Sequence, residues 1–238
     1  MASAAITGIM TAPMSMLRDK LATSPAHARV LPYFILLFLT FAQDSMGDSW
    51  RYWLYLAKML VGAWCIYEMR SLVTEMRWAF SWEAVAVGVG IFAVWVFFDP
   101  FYPKNEVLMK AGDPWNPFKQ YGAGSLLGWF FVGVRTFGSA IVVPPIEEAF
   151  FRSFLYRYLV KLDFLGMPLK KMHWLSFVVT ASIFGLVHYQ WIAGILCGMA
   201  YQWLVIRKDR LGDAMTAHAI TNFLLGIWVV WKDAWIFW

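Results

Sequence analysis

Long apolar runs, separated by short charged or turn-forming stretches, dominate the chain and predict about eight helices. The first runs from about Val30 to Gln43 and ends at DSMGDS. A second covers about Trp53 to Met69, and a third about Glu83 to Phe98, stopped by the DPFYP turn. Tyr121 to Val143 reads as a fourth, interrupted by Pro144-Pro145, and Ile146 to about Lys161 as a fifth. The last three cover about Trp174 to Tyr189, Ile192 to Ile206 and Asp213 to Trp231. Several fall short of the roughly 20 residues that cross a bilayer core, so tilt, local thinning or shielding by neighbours is required. The pattern predicts an all-α, polytopic transmembrane helical bundle. Residues 1–29 read as a tail, either disordered or partly an interfacial helix. They lack the charged start and compact apolar run of a cleaved signal. Residues 30–238 read as one domain without internal repeats.

Composition strengthens the membrane reading. Of 238 residues, 61% are hydrophobic and 15% charged, against roughly 25% charged in ordinary soluble domains. Fifteen Trp, ten Tyr and twenty Phe suit a protein with many ends at lipid–water boundaries. The net charge of +5 comes from basic residues flanking apolar spans, which fits anionic headgroups and argues against nucleic acid. The bilayer is the expected partner. Counting loops across eight spans puts 99–120, 161–171 and 207–210 on one side, cytoplasmic by the positive-inside rule, with both termini opposite. The 99–120 segment holds four prolines and reads as a surface loop, or a lid over a cleft, with Trp115 and Phe118 dipping into the headgroup layer. Cys65 and Cys197 lie in apolar segments and read as free packing thiols.

A few polar residues inside these helices carry the candidate chemistry, because ionisable groups in hydrocarbon are expensive and usually paired or functional. Glu148 and Arg152 are four apart and share a helix face as an ion pair. Glu147, about 100° away, is left without an intrahelical partner and is the candidate general base. A helix cap after Pro144-Pro145 is the structural alternative for the two glutamates. Arg157 and Lys161 are expected to snorkel to water. His188 follows Phe184 by four residues. His218 and Asn222, again four apart, present an imidazole and an amide side by side, suited either to one anionic oxygen or to an interhelical clasp. Arg135 is placed to approach the glutamates, or to serve a structural partner.

The motifs Glu147-Glu148-Ala149-Phe150-Phe151-Arg152, Phe184 to His188, and His218 to Asn222, each on its own apolar helix, resemble the CAAX protease and bacteriocin-processing family. These are intramembrane endopeptidases that include the type II CAAX prenyl proteases. The resemblance covers about residues 140–231. The form VPPIEEAFFRSFLYR is similar to a bacterial branch associated with exosortase-type surface-protein sorting, which implies the bacterial cytoplasmic (inner) membrane. Carried over, the family mechanism makes Glu147 the base that deprotonates water and His188 the group that holds it. His218 and Asn222 then form the oxyanion hole, with Glu148 and Arg152 as supporting ion pair. The expected substrate is a membrane-anchored or prenylated-type peptide or protein. Glu147, His188 and His218 could hold zinc with an open position, but HExxH is absent, and the resemblance implies a metal-independent enzyme without cofactor. A non-catalytic scaffold or immunity protein of a protein-sorting system is the alternative. A small transporter is a third reading, although broken, repeated halves are not visible.

Overall fold

Pro144 and Pro145 do not break the central helix. In the computed structural model, which describes residues 15–47, 50–105 and 114–238, the chain is helical without interruption over Leu126–Tyr158. Two π-helical turns, Gly138–Val142 and Ala149–Leu155, lie inside it. Proline lacks an N–H and its ring crowds the carbonyl four residues back, and widening the preceding turn relieves that clash. The expected fourth and fifth helices are therefore one.

We number the helices α1 Met16–Ala22, α2 Pro25–Ser45, α3 Arg51–Met69, α4 Trp82–Phe97, α5 Pro117–Tyr121, α6 Leu126–Tyr158, α7 Trp174–Leu186, α8 Trp191–Lys208 and α9 Gly212–Lys232. No strand occurs among the described residues. Local chemistry sets several starts. The Ser24, Ser81 and Ser125 side chains accept the backbone N–H of Ala26, Ala84 and Gly128, and Pro25 opens α2, as expected of N-caps and a first-turn proline. α2 thus begins five residues before the first apolar run, and part of the expected tail is helical. The rest of that tail, residues 1–14, lies outside the described residues, as does 106–113 of the 99–120 loop.

Merging two helices reverses part of the expected topology. At one end, Lys208 pairs with Glu83 at the start of α4 (2.7 Å), and the Lys170 N–H donates to Asp209 Oδ1 (3.1 Å). At the other end, Asn105 donates to the Leu186 carbonyl (2.8 Å) and Trp191 to that of Pro103 (2.9 Å). The 161–171 and 207–210 loops share an end, and 99–105 emerges opposite them. Trp115 is buried in protein, 4.6 Å from the Tyr52 ring, rather than in the headgroup layer.

α2 (over Pro25–Gln43), α6 and α9 are long and apolar enough to cross a membrane, and α4 and α7 are shorter apolar helices. Phe34, Phe38, Phe41, Leu60 and Trp64 are exposed on α2 and α3, an apolar exterior suited to lipid. The chain is an integral membrane protein. Glycines set the closest helix contacts. A Cβ on Gly198 would lie 2.9 Å from the Ala181 Cα, and one on Gly185 2.5 Å from the Trp191 carbonyl, so α7 and α8 fold back on each other at backbone distance.

Arg157 is buried, not snorkelling. With Arg29 it clamps Glu75: Arg29 Nη2 and Arg157 Nη2 lie 2.7 and 2.8 Å from Glu75 Oε1, and the Ser153 hydroxyl also donates to that oxygen. This clasp ties the 70–81 connection to α2 and α6. That connection in turn braces α9, because Thr216 donates to the Ala79 carbonyl (2.7 Å) and a Cβ on Gly212 would meet the Arg77 carbonyl at 2.1 Å. Burial alone would raise the Glu75 carboxyl, but the Arg29 charge and the hydrogen bonds from Ser153 and Arg29 outweigh it and hold the group at about 2. A depressed carboxyl contributes stability that is complete above its unfolded value of 4.5 and is lost as pH falls towards the folded one. We expect Glu75→Gln to cost about 2 kcal/mol at neutral pH. In thermal scans, the gap between variant and wild type should close between pH 4.5 and pH 2. A pH-independent gap would assign the effect to packing.

Candidate active site

Three elements bring the polar residues together. α6 supplies Glu147, Glu148 and Arg152, the short α7–α8 connection supplies His188, and α9 supplies His218 and Asn222. α7 ends at Leu186 rather than Tyr189, so His188 lies just beyond the helix, its Nδ1 2.6 Å from the Phe184 carbonyl. The early end of α7 resolves the depth mismatch that upright, full-length helices would impose on the two imidazoles. Both rings lie against Phe184, at 4.8 Å for His188 and 6.1 Å for His218. His188 is also within electrostatic range of Glu147, His218 and Arg152.

The two glutamates have different surroundings. Glu148 is fully buried, with Oε2 3.1 Å from Arg152 Nε and Oε1 2.9 Å from His218 Nδ1. A carboxylate accepts only, so His218 Nδ1 carries the proton of that hydrogen bond and the ring orientation is fixed. Arg152 lies beneath the Phe184 ring, its guanidinium carbon 4.2 Å from the centroid, and Nη2 is 3.5 Å from the Gly198 carbonyl. Glu147 keeps 19% of its side chain exposed, and its buried Oε2 has no hydrogen-bond partner. That oxygen faces His218 Nε2 at 3.9 Å, too long for a direct hydrogen bond.

Asn222 is explained by the proline pair. In a π-helical turn the Ser139 carbonyl would receive the N–H of residue 144, which proline lacks. Asn222 Nδ2 donates to it instead, at 2.8 Å. One amide proton is thereby committed to an interhelical clasp and the second stays available. Arg135 stands apart from the glutamates, over the rings of Tyr55 (4.6 Å) and Trp115 (5.1 Å).

Tyr201 was not singled out by the sequence. Its ring stacks on His218 at 5.2 Å, and its hydroxyl donates to Thr221 (2.7 Å). Its spacing is the only sequence signal: it follows Cys197 and Gly198 on a face that α8 buries. Among the described residues, no three His, Cys, Asp or Glu side chains are grouped as a metal would require.

A carboxylate–imidazole cluster enclosed by apolar helices defines the class: an integral membrane protein with ionisable groups gathered in its interior. Residues 129–224 match the family model described as Rce1-like, type II CAAX prenyl endopeptidase Rce1-like. This range contains all three motifs, and the resemblance read from them stands. It implies CAAX-type endopeptidase activity in general terms. No curated protein and no solved structure is significantly similar to the chain.

Proposed function

We propose that the protein is an intramembrane, glutamate-dependent endopeptidase acting on a membrane-anchored or prenylated-type substrate. The observation that carries this reading is the unequal treatment of two adjacent carboxylates. Glu148 is ion-paired with Arg152 and hydrogen-bonded to His218, whereas Glu147 makes no close ion pair among the described residues and its Oε2 faces the second nitrogen of the same imidazole at 3.9 Å. Environments that separate paired acids are how sites divide roles between them.

In this reading Glu147 takes a proton from water held between it and His188. The water oxygen adds to the peptide carbonyl. His218, in its doubly protonated form so that Nε2 also carries an N–H, and Asn222, through its remaining N–H, stabilise the resulting oxyanion. Collapse breaks the C–N bond, and the proton held by Glu147 passes to the leaving amine. Glu148 and Arg152 hold His218 in orientation. No metal is required for these steps. The finer resemblance favours a bacterial inner-membrane setting and substrates of surface-protein sorting.

The full chain, reconstituted in vesicles with a quenched farnesylated CAAX-type peptide or a quenched transmembrane peptide, should cleave equally with and without a strong chelator. Loss of cleavage on chelation, restored by zinc, would replace the metal-free mechanism. Undiminished cleavage in Glu147→Gln, Glu148→Gln and His188→Ala would leave the scaffold reading in its place.

A further inference from the structure

At His188 the backbone has left the helical pattern. In a continuing helix the Phe184 carbonyl would receive the His188 N–H. That N–H donates to the Gly185 carbonyl instead (2.9 Å), and the His188 side chain takes its place, with Nδ1 2.6 Å from the Phe184 oxygen. A carbonyl only accepts, so Nδ1 carries the proton and Nε2 of the neutral ring is left as an acceptor. The ring also contacts Phe184 at 4.8 Å and meets the buried Trp95 of α4 edge-on at 5.6 Å.

This placement holds only while α7 stops where it does. The last carbonyls of a helix need donors from elsewhere. Asn105 supplies donors on both sides of His188. Its side-chain amide donates to the Leu186 carbonyl (2.8 Å), and its backbone N–H to that of Tyr189 (3.0 Å). Trp191 fixes the same segment from α8 by donating to the Pro103 carbonyl (2.9 Å). With the Asn105 amide removed, the Leu186 carbonyl can be satisfied by continuing α7 for a further turn, the Gln190 N–H serving as donor. That conversion returns the His188 N–H to Phe184, displaces Nδ1 and swings the ring onto the helix face.

We infer that Asn105 is a positioning residue for the reaction, holding α7 short so that His188 presents Nε2 to the water that Glu147 activates. The inference rests on the reading of Glu147 and His188 as the pair that holds this water. One water proton is then directed at the Glu147 carboxylate and the other at Nε2, which leaves the oxygen lone pairs for the peptide carbonyl. Asn105 touches no reacting atom and moves no proton. The 99–105 connection lies outside the three motifs, yet it sets the geometry of one of them.

Asn105→Ala and Asn105→Asp both remove the side-chain donor and keep the backbone N–H, the second at nearly constant size. The position is half-buried, so neither change opens a core cavity. In the reconstituted full chain, with the quenched peptides above, each should lower kcat about tenfold, the order expected when one orienting hydrogen bond is lost. KM should stay near the wild-type value, because the loss falls on the reacting water rather than on substrate binding. Nitrogen NMR of histidine-labelled protein reads the ring directly, the chain having four histidines and His188→Gln identifying the signal. The wild-type His188 ring should show the Nδ1–H tautomer, and both variants a mixture of tautomers. A role confined to stability would lower the melting temperature and leave that signal alone. Unchanged His188 signals in both variants, or wild-type kcat in both, overturn the inference while the hydrolase reading stands. If the wild-type chain cleaves neither peptide, the hydrolase reading falls and Asn105's part in a reaction falls with it, whatever the ring signals show.

Discussion

Glu147→Gln should reduce turnover by about 10²–10⁴, the range typical of losing a positioned general base, and leave stability nearly untouched. Both halves follow from its surroundings. The side chain is partly exposed, and Oε2 has no hydrogen-bond partner, so an isosteric amide disturbs little that holds the fold. Glu148→Gln should behave differently. Its carboxylate is fully buried between Arg152 and His218, so the same change of one atom should cost both activity and stability. Turnover in vesicles and thermal midpoints in detergent, measured on the same preparations, read the contrast directly. If Glu148→Gln proves the more active of the two, the roles of the adjacent acids are reversed.

The contrast was partly legible in the sequence. Four-residue spacing places Glu148 beside Arg152 on one helix face, and the two form an ion pair. Spacing also set His218 and Asn222 on one face. It could not say that Asn222 meets a carbonyl left without its usual donor by Pro144, because that depends on where α6 widens. A local pattern announces helix-breaking proline; only the surrounding packing decides whether the helix ends or deforms.

Charges illustrate a second boundary. Arg157 reads as solvated because it lies about half a turn round from the Glu148–Arg152 face, yet its partner Glu75 is 82 residues away in sequence. Arg29, likewise, reads as the end of a polar tail until Glu75 is placed against it. Hydropathy located most helix bodies within a few residues, since it reports which segments avoid water. Long-range ion pairs leave no periodic trace. The merged α6 carried the largest consequence, since one helix fewer moved the 99–105 connection to the opposite end of the bundle.

Arg152→Met should be the most destabilising single substitution at the site, by about 3–5 kcal/mol. Arg152 is nearly fully buried, as is Glu148. Removing the guanidinium leaves a carboxylate in a low-dielectric interior with only His218 Nδ1 as partner. Met fills comparable volume beneath Phe184, so lost charge outweighs lost packing. The double variant Glu148→Gln, Arg152→Met should therefore be more stable than Arg152→Met alone, because it removes the stranded charge as well. Measured as detergent melting temperatures and protease half-lives, this ordering isolates the electrostatic coupling from the cavity cost. Strict additivity of the two substitutions would mean that the pair contributes volume only, and that His218 is held in place by Tyr201 and Phe184 rather than by Glu148.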